Sequence, residues 1–411
     1  MASSVVVPIV EIKNVREHPN ASMLGLADIL GFQVVVGLVE DPSGEITRLF
    51  KKDERDDRGN RVPVEVDPGF YSDPDVSFVG RDVDVVSFRF RYKDGDKAIY
   101  FPADTLIPND LAEKLNVKHL LAGKEQNRVK RVRLRGEPSF GLLAEVPEGV
   151  DWEVGFNAAE YFGAEKYIPP IRCTAEDAEK YDEKIDPFVQ KFTDIENGRI
   201  FTDVFQEGEE VVVSEKLHGT NCKNGIIKDV GVFSGSMTVR RKRPKDKDGE
   251  DVNFDSVEMK NSTYWHPWSI DGVQNLINLL VSNHQVVTLY GEVFGGSIQD
   301  LHYGIPKGNG LRYRAFGLSV DGKYVDWDEF ESLCNRFGVP MVPVLYRGPF
   351  SMKKIKELAE GKSTLADHIK EGVVVTTIPE RRDPKIGRAI LKYISTEYDL
   401  SKHKQKDTTD V

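Results

Sequence analysis

Short runs of β-branched and aromatic residues, each closed by a turn signal, recur along most of this 411-residue chain. They commit it to a sheet-built fold. Alternating or continuous apolar runs bounded by Gly, Pro, Asn or Asp read as strands, because side chains along a strand alternate between two faces. The first part holds VVVPIVEI (5–12), FQVVVGLV (32–39), DVDVVSFRFRY (82–92), KAIYFP (97–102) and RVKRVRLRG (128–136). His18-Pro19-Asn20, Asp41-Pro42-Ser43-Gly44 and Lys93-Asp94-Gly95 mark turns between them. About five strands with long loops suggest a small closed or partly open barrel. Residues 51–75 are charged and rich in Gly, Pro and Asp, and read as an exposed loop or insertion. DLAEKLNV (110–117) reads as a short helix.

The second part has a different rhythm. Strand-like runs EEVVVSEK, GVFSGSMTVR, QVVTLYGEVFG, LRYRAFGLSV, EGVVVTTI and RAILKYIS alternate with helical segments near 271–283, 326–337 and 351–360. The connections are too irregular for a parallel βαβ series, so an α+β domain on antiparallel sheets is expected. The Pro-rich stretch Tyr167–Ile171 and the charged stretch after it mark the boundary. The expected division is a β-barrel domain at 1–165, a linker at 166–192, an α+β domain at 193–400 and a flexible polar tail at 401–411.

Composition narrows the classes. With 39% hydrophobic and 30% charged residues, the chain has material for more than one core and reads as soluble. No stretch approaches a membrane span, and the N-terminus lacks the basic segment of a signal peptide. Cys173, Cys222 and Cys334 are sparse and carry no zinc spacing, which points to a reducing, cytoplasmic setting rather than secretion. A net charge of −11 argues against whole-surface nucleic-acid binding but leaves room for local basic sites. Two basic runs are candidates, Arg128–Arg135 and Arg240–Lys245. The ordinary reading of either alone is a solvated face. If 128–135 is a strand, Arg131, Arg133 and Arg135 share one face as a stripe suited to backbone phosphates.

Five short motifs carry the chemistry. Val211–Asn221 (VVVSEKLHGTN) delivers Lys216 from a strand into a glycine turn, where a phosphate can approach and a deprotonated lysine can act as nucleophile. Leu289–Gly295 (LYGEVFG), followed by Ile298-Gln299-Asp300, places Glu292 at the end of a strand-like run. Tyr313–Val320 offers Phe316 as a stacking ring. Glu371 opens EGVVV, and Lys392 lies within AILKYIS. Each alone reads more readily as a turn lysine, an edge glutamate, a core ring or a surface charge.

Their order changes that balance. Strand-Lys-x-x-Gly, strand-Gly-Glu, strand-Phe, Glu-Gly-strand and strand-Lys together resemble motifs I, III, IIIa, IV and V of the covalent nucleotidyltransferase superfamily. EKLHGTN and GEVFG followed by IQ are similar to the phage RNA ligase 2 group over roughly 205–400. The whole chain resembles the Deinococcus-type RNA ligases, which join an N-terminal OB domain to such a catalytic domain. The segments HPNASMLGLADILGFQVVVG, YFPADTLIPNDLAEKL and RLRGEPSFGLL are similar to that N-terminal domain. DNA ligases and capping enzymes place an OB domain after the last motif, and residues 393–411 are too few for one. Those relatives remain the nearest alternatives, beside a non-catalytic nucleic-acid-binding protein.

The resemblance implies an ATP-dependent RNA ligase, a monomer acting on nicked duplexes or RNA ends in RNA repair, with ATP and Mg²⁺ or Mn²⁺ as cofactors. It implies Lys216 as the residue that accepts AMP, Glu215 and Phe316 against the adenine, Asn221 at the phosphates and Glu292 at the ribose. Glu371 would position the metal through water, and Lys392 would meet the α-phosphate. The basic residue between the first two motifs is Arg240 or Arg241, with Arg240 preferred. Three positions depart from the common pattern: His218 where many relatives have Asp, Gly317 where Asp usually follows Phe, and Ile394 where a second lysine is frequent. An arginine is expected to supply the missing charge. A free lysine near pKa 10.4 is rarely neutral at pH 7, so surrounding positive charge from Lys392 and a hydrated metal is expected to lower that value.

Overall fold

The computed structural model describes residues 5–40, 48–55, 61–63, 85–168, 189, 192–237, 239–296, 298–306 and 308–400, with only the strand course given for 48–55, 61–63 and 85–87. The chain divides into two compact units, one reaching to Ile168 and the other starting at Pro169. Most of the expected linker and the whole expected tail lie outside the described residues. None of the described helices is long and apolar enough to cross a membrane.

In the first unit the five strand-like runs each contain a strand, and shorter ones join them. A six-stranded antiparallel sheet runs in the order Lys13–Glu17, Leu24–Ile29, Phe32–Glu40, Val85–Phe90, Arg48–Arg55, Arg61–Pro63. Ile9–Glu11, Lys97–Phe101 and Leu142–Glu145 form a second sheet. Val7, Ile9, Ile99, Phe101 and Ile107 are buried in one core beside them. Part of the expected loop at 51–75 is strand instead, since Arg48–Arg55 pairs with Val85–Phe90 and with Arg61–Pro63. The ladder is made by main-chain groups, so a charged sequence can join it. The remainder of that segment lies outside the described residues. The helix expected at 110–117 spans Asn109–Lys114.

The second unit is α+β. A five-stranded sheet runs in the order Glu196–Asn197, Ile390–Ile394, Gly372–Thr377, Glu210–Lys216, Val344–Pro349. A six-stranded sheet runs Arg240–Arg241, Gly231–Gly235, Thr220–Ile227, Val286–Gly295, Leu311–Val320, Lys323–Tyr324. Helices Asp271–Val281 and Trp327–Phe337 pack against each other and on one face of the six-stranded sheet. There Val273, Leu276, Ile277, Leu289, Phe330 and Trp268 form a buried core. Helix Met352–Ala359 covers one face of the five-stranded sheet. Ile390 and Val374 of the five-stranded sheet meet Tyr290 and Phe316 of the other around Phe192, so the two remaining faces look at one another.

Thr220–Ile227 is absent from the strands expected from sequence, because TNCKNG is polar and contains Gly225. The structure gives the reason. A Cβ at Gly225 would come within 2.0 Å of the Val287 carbonyl oxygen, and alternate residues of this strand face the space between the sheets.

Candidate active site

Lys216 ends a strand of one sheet and Thr220 begins a strand of the other. The Lys-x-x-Gly turn is therefore the corner that joins the two sheets. Gly219 is required there by close approach, since a Cβ would sit 2.4 Å from the Val293 carbonyl oxygen and 2.9 Å from Glu292 Cγ. The Gly219 amide donates to the Glu292 carboxylate, and Gln299 Nε2 donates to the Gly219 carbonyl at 3.3 Å. The second motif and its trailing Ile-Gln thus clamp the first.

Strand register decides which side chains share the pocket. Lys216 pairs with Gly372, which pairs with Ile394, while Ser214, Val374 and Lys392 lie one alternation further along on the same face. Lys216 and Lys392 therefore share a face, two strands apart. On the opposing sheet Asn221 lies across from Glu292, and Lys223 across from Tyr290 and Gly235. Gly235 pairs with Arg240, which puts Arg240 on that pocket-facing side and turns Arg241 to the other, where its guanidinium lies 4.6 Å from the Tyr264 ring. The Arg240 side chain runs along the sheet edge and donates to the Val232 carbonyl at 3.3 Å.

Phe316 is the extra residue at a bulge, where the pairing shifts between Tyr290–Gly317 and Gly291–Ala315. It is half-buried, and its ring meets Phe192 edge-on at 4.9 Å. Gly317 stands where the pattern has Asp, and a Cβ there would press on the Phe192 ring at 3.0 Å.

The charges form a compact group. Lys216 Nζ lies 2.6 Å from Glu371 Oε1, and Glu371 Oε2 lies 3.4 Å from His218 Nδ1. Burial alone would raise the Glu371 carboxyl, but the Lys216 ammonium and the His218 ring outweigh it and bring it down to about 2. Glu292 moves the other way. Burial, which Lys216 only partly offsets and Glu371 reinforces, pushes its carboxyl up to about 8. One ammonium thus neutralises one carboxylate, and the second holds its proton.

Lys216 itself corrects an expectation. Burial acts to lower its pKa, but Glu371 and Glu292 outweigh that and raise it above the ordinary lysine value of 10.5. The nearest charges are acids, not Lys392. At pH 7 even an unshifted lysine would be neutral roughly once in three thousand molecules. The chain's own residues thus hold the nucleophile protonated.

Glu215 is a second correction. Adjacent strand residues point to opposite faces, so its carboxylate is directed away from Lys216. It accepts from Ser363 Oγ, from the Thr364 amide at 2.9 Å and from Thr364 Oγ1 at 2.7 Å, fully buried under the segment after Met352–Ala359. The carboxylate is thus engaged on the face away from Lys216, not turned toward an adenine beside it.

Three residues that sequence reasoning passed over belong to this neighbourhood. Lys223 is buried on the pocket-facing side beside Asn221, a placement that period-two reading of TNCKNG would have found. Arg199 donates to the Ile394 carbonyl at 2.8 Å and to Thr396 Oγ1 at 2.9 Å, bringing a guanidinium to the position that lacks a second lysine. Tyr398 Oη hydrogen-bonds His218 Nδ1 at 3.1 Å, and the His218 amide donates to Tyr303 Oη at 2.7 Å. Glu360 accepts from Ser395 Oγ and from the Thr396 amide, which fixes the short helix Thr396–Leu400 that carries Tyr398.

Among the described residues no group of three or more His, Cys, Asp or Glu could hold a metal directly. Oxygen donors are nonetheless gathered here. Asn221 Oδ1 is buried with no hydrogen-bond partner across from Glu292, and Glu371 is close by through Lys216. An all-oxygen set of this kind fits a hard divalent ion that keeps its waters.

Residues 209–394, which contain Lys216, Asn221, Arg240, Glu292, Phe316, Glu371 and Lys392, match the model of a family described as RNA ligase. This segment is an RNA ligase domain. No curated protein matches the chain. Among solved structures, a variant of Naegleria gruberi RNA ligase with ATP and Mn is similar at 20% identity and a TM-score of 0.56, covering 98% of this chain and 99% of that one. Another variant, with AMP and Mn, gives 19% identity and a TM-score of 0.59 over 97% and 99%. The same RNA ligase with PPi gives 19% and 0.56 over 96% and 97%. At such identity the likeness speaks for the fold.

In the first unit, outside the RNA ligase domain, the expected arginine stripe is only partly formed. Arg131 and Arg133 are exposed on the strand Arg131–Leu134. Arg135 has left the strand at the hairpin turn, with φ 49° before Gly136 at φ 92°. Alternation therefore does not align it with the other two. Arg128 is buried, with its guanidinium 4.1 Å from the Tyr167 ring.

Proposed function

We propose that this chain is an ATP-dependent RNA ligase that joins 5′-phosphate and 3′-hydroxyl ends through a lysyl-AMP on Lys216. The observation that carries this is the position of Lys216 at the corner between two facing sheets. Glu371 lies 2.6 Å away, Glu292 is clamped beside the turn, and Lys392 shares the face. The ATP, AMP and Mn bound by the Naegleria ligase variants support the choice of nucleotide and of a divalent cofactor.

Three transfers follow. Neutral Lys216 Nζ attacks the α-phosphorus; a P–N bond forms, a P–O bond breaks and pyrophosphate leaves. The RNA 5′-phosphate then displaces the lysine, giving an AMP-capped end. Finally the 3′-hydroxyl attacks that 5′-phosphate and AMP leaves. Phosphoryl transfer depends on positioning and charge stabilisation, which suits a site of lysines, acids and a ring. Phe316 stacks on the base, Glu292 and Asn221 receive the ribose and phosphates, and Lys392 with Arg240 balances phosphate charge. Glu371, Glu292 and Asn221 would hold a hydrated Mg²⁺ or Mn²⁺, whose charge favours the neutral amine and the transferring phosphoryl group. Arg131 and Arg133 fit an OB-like first unit acting as a nucleic-acid platform.

Intact mass after incubation with ATP and a divalent ion tests this reading. A gain of one AMP, absent with GTP, followed by sealing of RNA rather than DNA nicks, is the expected result. Labelling by GTP would favour a capping enzyme, preference for DNA nicks a DNA ligase, and no adduct at all would remove the enzyme reading.

A further inference from the structure

Of the second basic run, the pocket engages only Arg240. The rest of the run lines a cavity of about 540 Å³ along the edge strand Arg240–Arg241. Its walls are Arg240, Arg241, Lys242, Arg243 and Lys245, with Asp251 and Trp265 among them. Five cations face one acid in a chain whose net charge is −11. Positive potential is therefore concentrated where the overall charge opposes it.

These cations are held, not splayed. The Arg241 guanidinium lies 4.6 Å from the Tyr264 ring, and the Arg243 guanidinium 4.6 Å from that of Phe254. Arg243 also donates to the Val252 carbonyl at 2.7 Å, and its Nε is buried with no partner. Trp265 Nε1 donates to the Arg241 carbonyl at 3.2 Å, which seats the indole in the wall. Asp251 holds Lys245 at 3.1 Å. A guanidinium with one plane covered by a ring still presents its N–H edge, the geometry that receives a phosphate with two hydrogen bonds.

Position names the ligand. Arg240 belongs both to this cavity and to the pocket-facing side that carries Lys223, Asn221 and Glu292. From strand spacing of about 4.8 Å and a rise of about 3.3 Å per residue, Arg240 lies roughly 12 Å from Asn221. That is a reach of a couple of nucleotides along a polynucleotide whose end sits at Lys216. We propose that the edge cavity binds phosphodiester groups of the RNA being joined, with Lys242, Arg243 and Lys245 as the new contacts. This rests on the ligase reading above.

The test is the double variant Lys242→Gln/Lys245→Gln, with Lys242→Arg/Lys245→Arg as control. Both positions are exposed, so the fold tolerates either. The probe is a short 5′-phosphorylated RNA, single-stranded and at a nick. The Gln pair is expected to weaken RNA binding about 10-fold at low salt. It should also flatten the dependence of log K on log salt by about 0.7–0.9 for each phosphate no longer neutralised. The rate and ATP dependence of lysyl-AMP formation should stay unchanged, and the Arg pair should restore RNA binding. Unchanged RNA affinity and salt slope would overturn the proposal. So would a raised KM for ATP in adduct formation, which would assign the cavity to the nucleotide's own phosphates. If the wild-type protein forms no adduct, the ligase reading falls; if it labels and seals while the variant binds RNA normally, only the cavity falls.

Discussion

On one face of the strand Glu210–Lys216 the side chains meet a pocket of opposed charges, and on the other they meet a structural clasp. Lys216 faces Glu371, with Glu292 behind the glycine turn, in a group whose protons are shared unevenly. Glu215, one residue earlier, accepts three hydrogen bonds from Ser363 and Thr364. Both belong to one ladder. The difference is what compensates them: fixed hydroxyl and amide donors on the clasp side, another titratable group on the pocket side. The first arrangement adds stability, whereas the second can be rearranged by a ligand.

Substitutions on each face should separate these roles. Lys216→Ala is expected to abolish the AMP adduct completely by intact mass, while Glu215→Ala still labels at temperatures where it is folded. Equal loss in both would erase the distinction between the faces.

Glu371→Gln comes next. It removes the acid that most strongly raises the Lys216 pKa, so that value falls and the limb of adduct formation that climbs with rising pH moves to lower pH. The maximal rate should nonetheless drop on the order of 100-fold, because an oriented, metal-receiving carboxylate is lost. A linked effect appears in stability. The carboxyl held at about 2 stabilises the native state above its ordinary value of 4.5, and that contribution is lost as pH falls from 4.5 through 2. Glu371→Gln should therefore flatten the acid side of the unfolding profile.

Glu215→Ala is expected to cost about 2–3 kcal/mol, as buried donors lose a charged acceptor. That lowers Tm by roughly 5–10 °C in calorimetry for a domain of this size. The smallest effect belongs to Tyr398→Phe. Losing its hydrogen bond to His218 should slow adduct formation a few-fold through a looser Glu371, with KM for ATP and Tm nearly unchanged. A large Tm loss instead would make Tyr398 part of the clasp.

Much of this site was legible before any coordinates. Lys216, Glu292, Glu371 and Lys392 border apolar runs, and each run became the expected strand, because strand formation and turn chemistry are local. Helices Asp271–Val281, Trp327–Phe337 and Met352–Ala359 were legible for the same reason. What failed depended on partners. Thr220–Ile227 hid because its polar residues are turned away from water, Asn221 and Lys223 toward the opposite sheet and Asn224 into hydrogen bonds with Ser234 and the Tyr264 carbonyl. Glu215 was misplaced because neighbours in a motif are not neighbours in a sheet. The sequence left Arg240 and Arg241 as alternatives; pairing with Gly235 and Ser234 turns them to opposite faces.

By itself, then, the amino-acid order determined the strands, the glycine corner and the sequence of motifs. All of these follow from short-range sterics and the period of side-chain direction. The tertiary structure alone decided the protonation of Lys216, the company of Glu215 and the lining of the edge cavity. Those depend on register and on how two sheets close over one another. Electrostatic free energy is set by distances of a few ångströms between groups far apart in the chain, and no local rule fixes them.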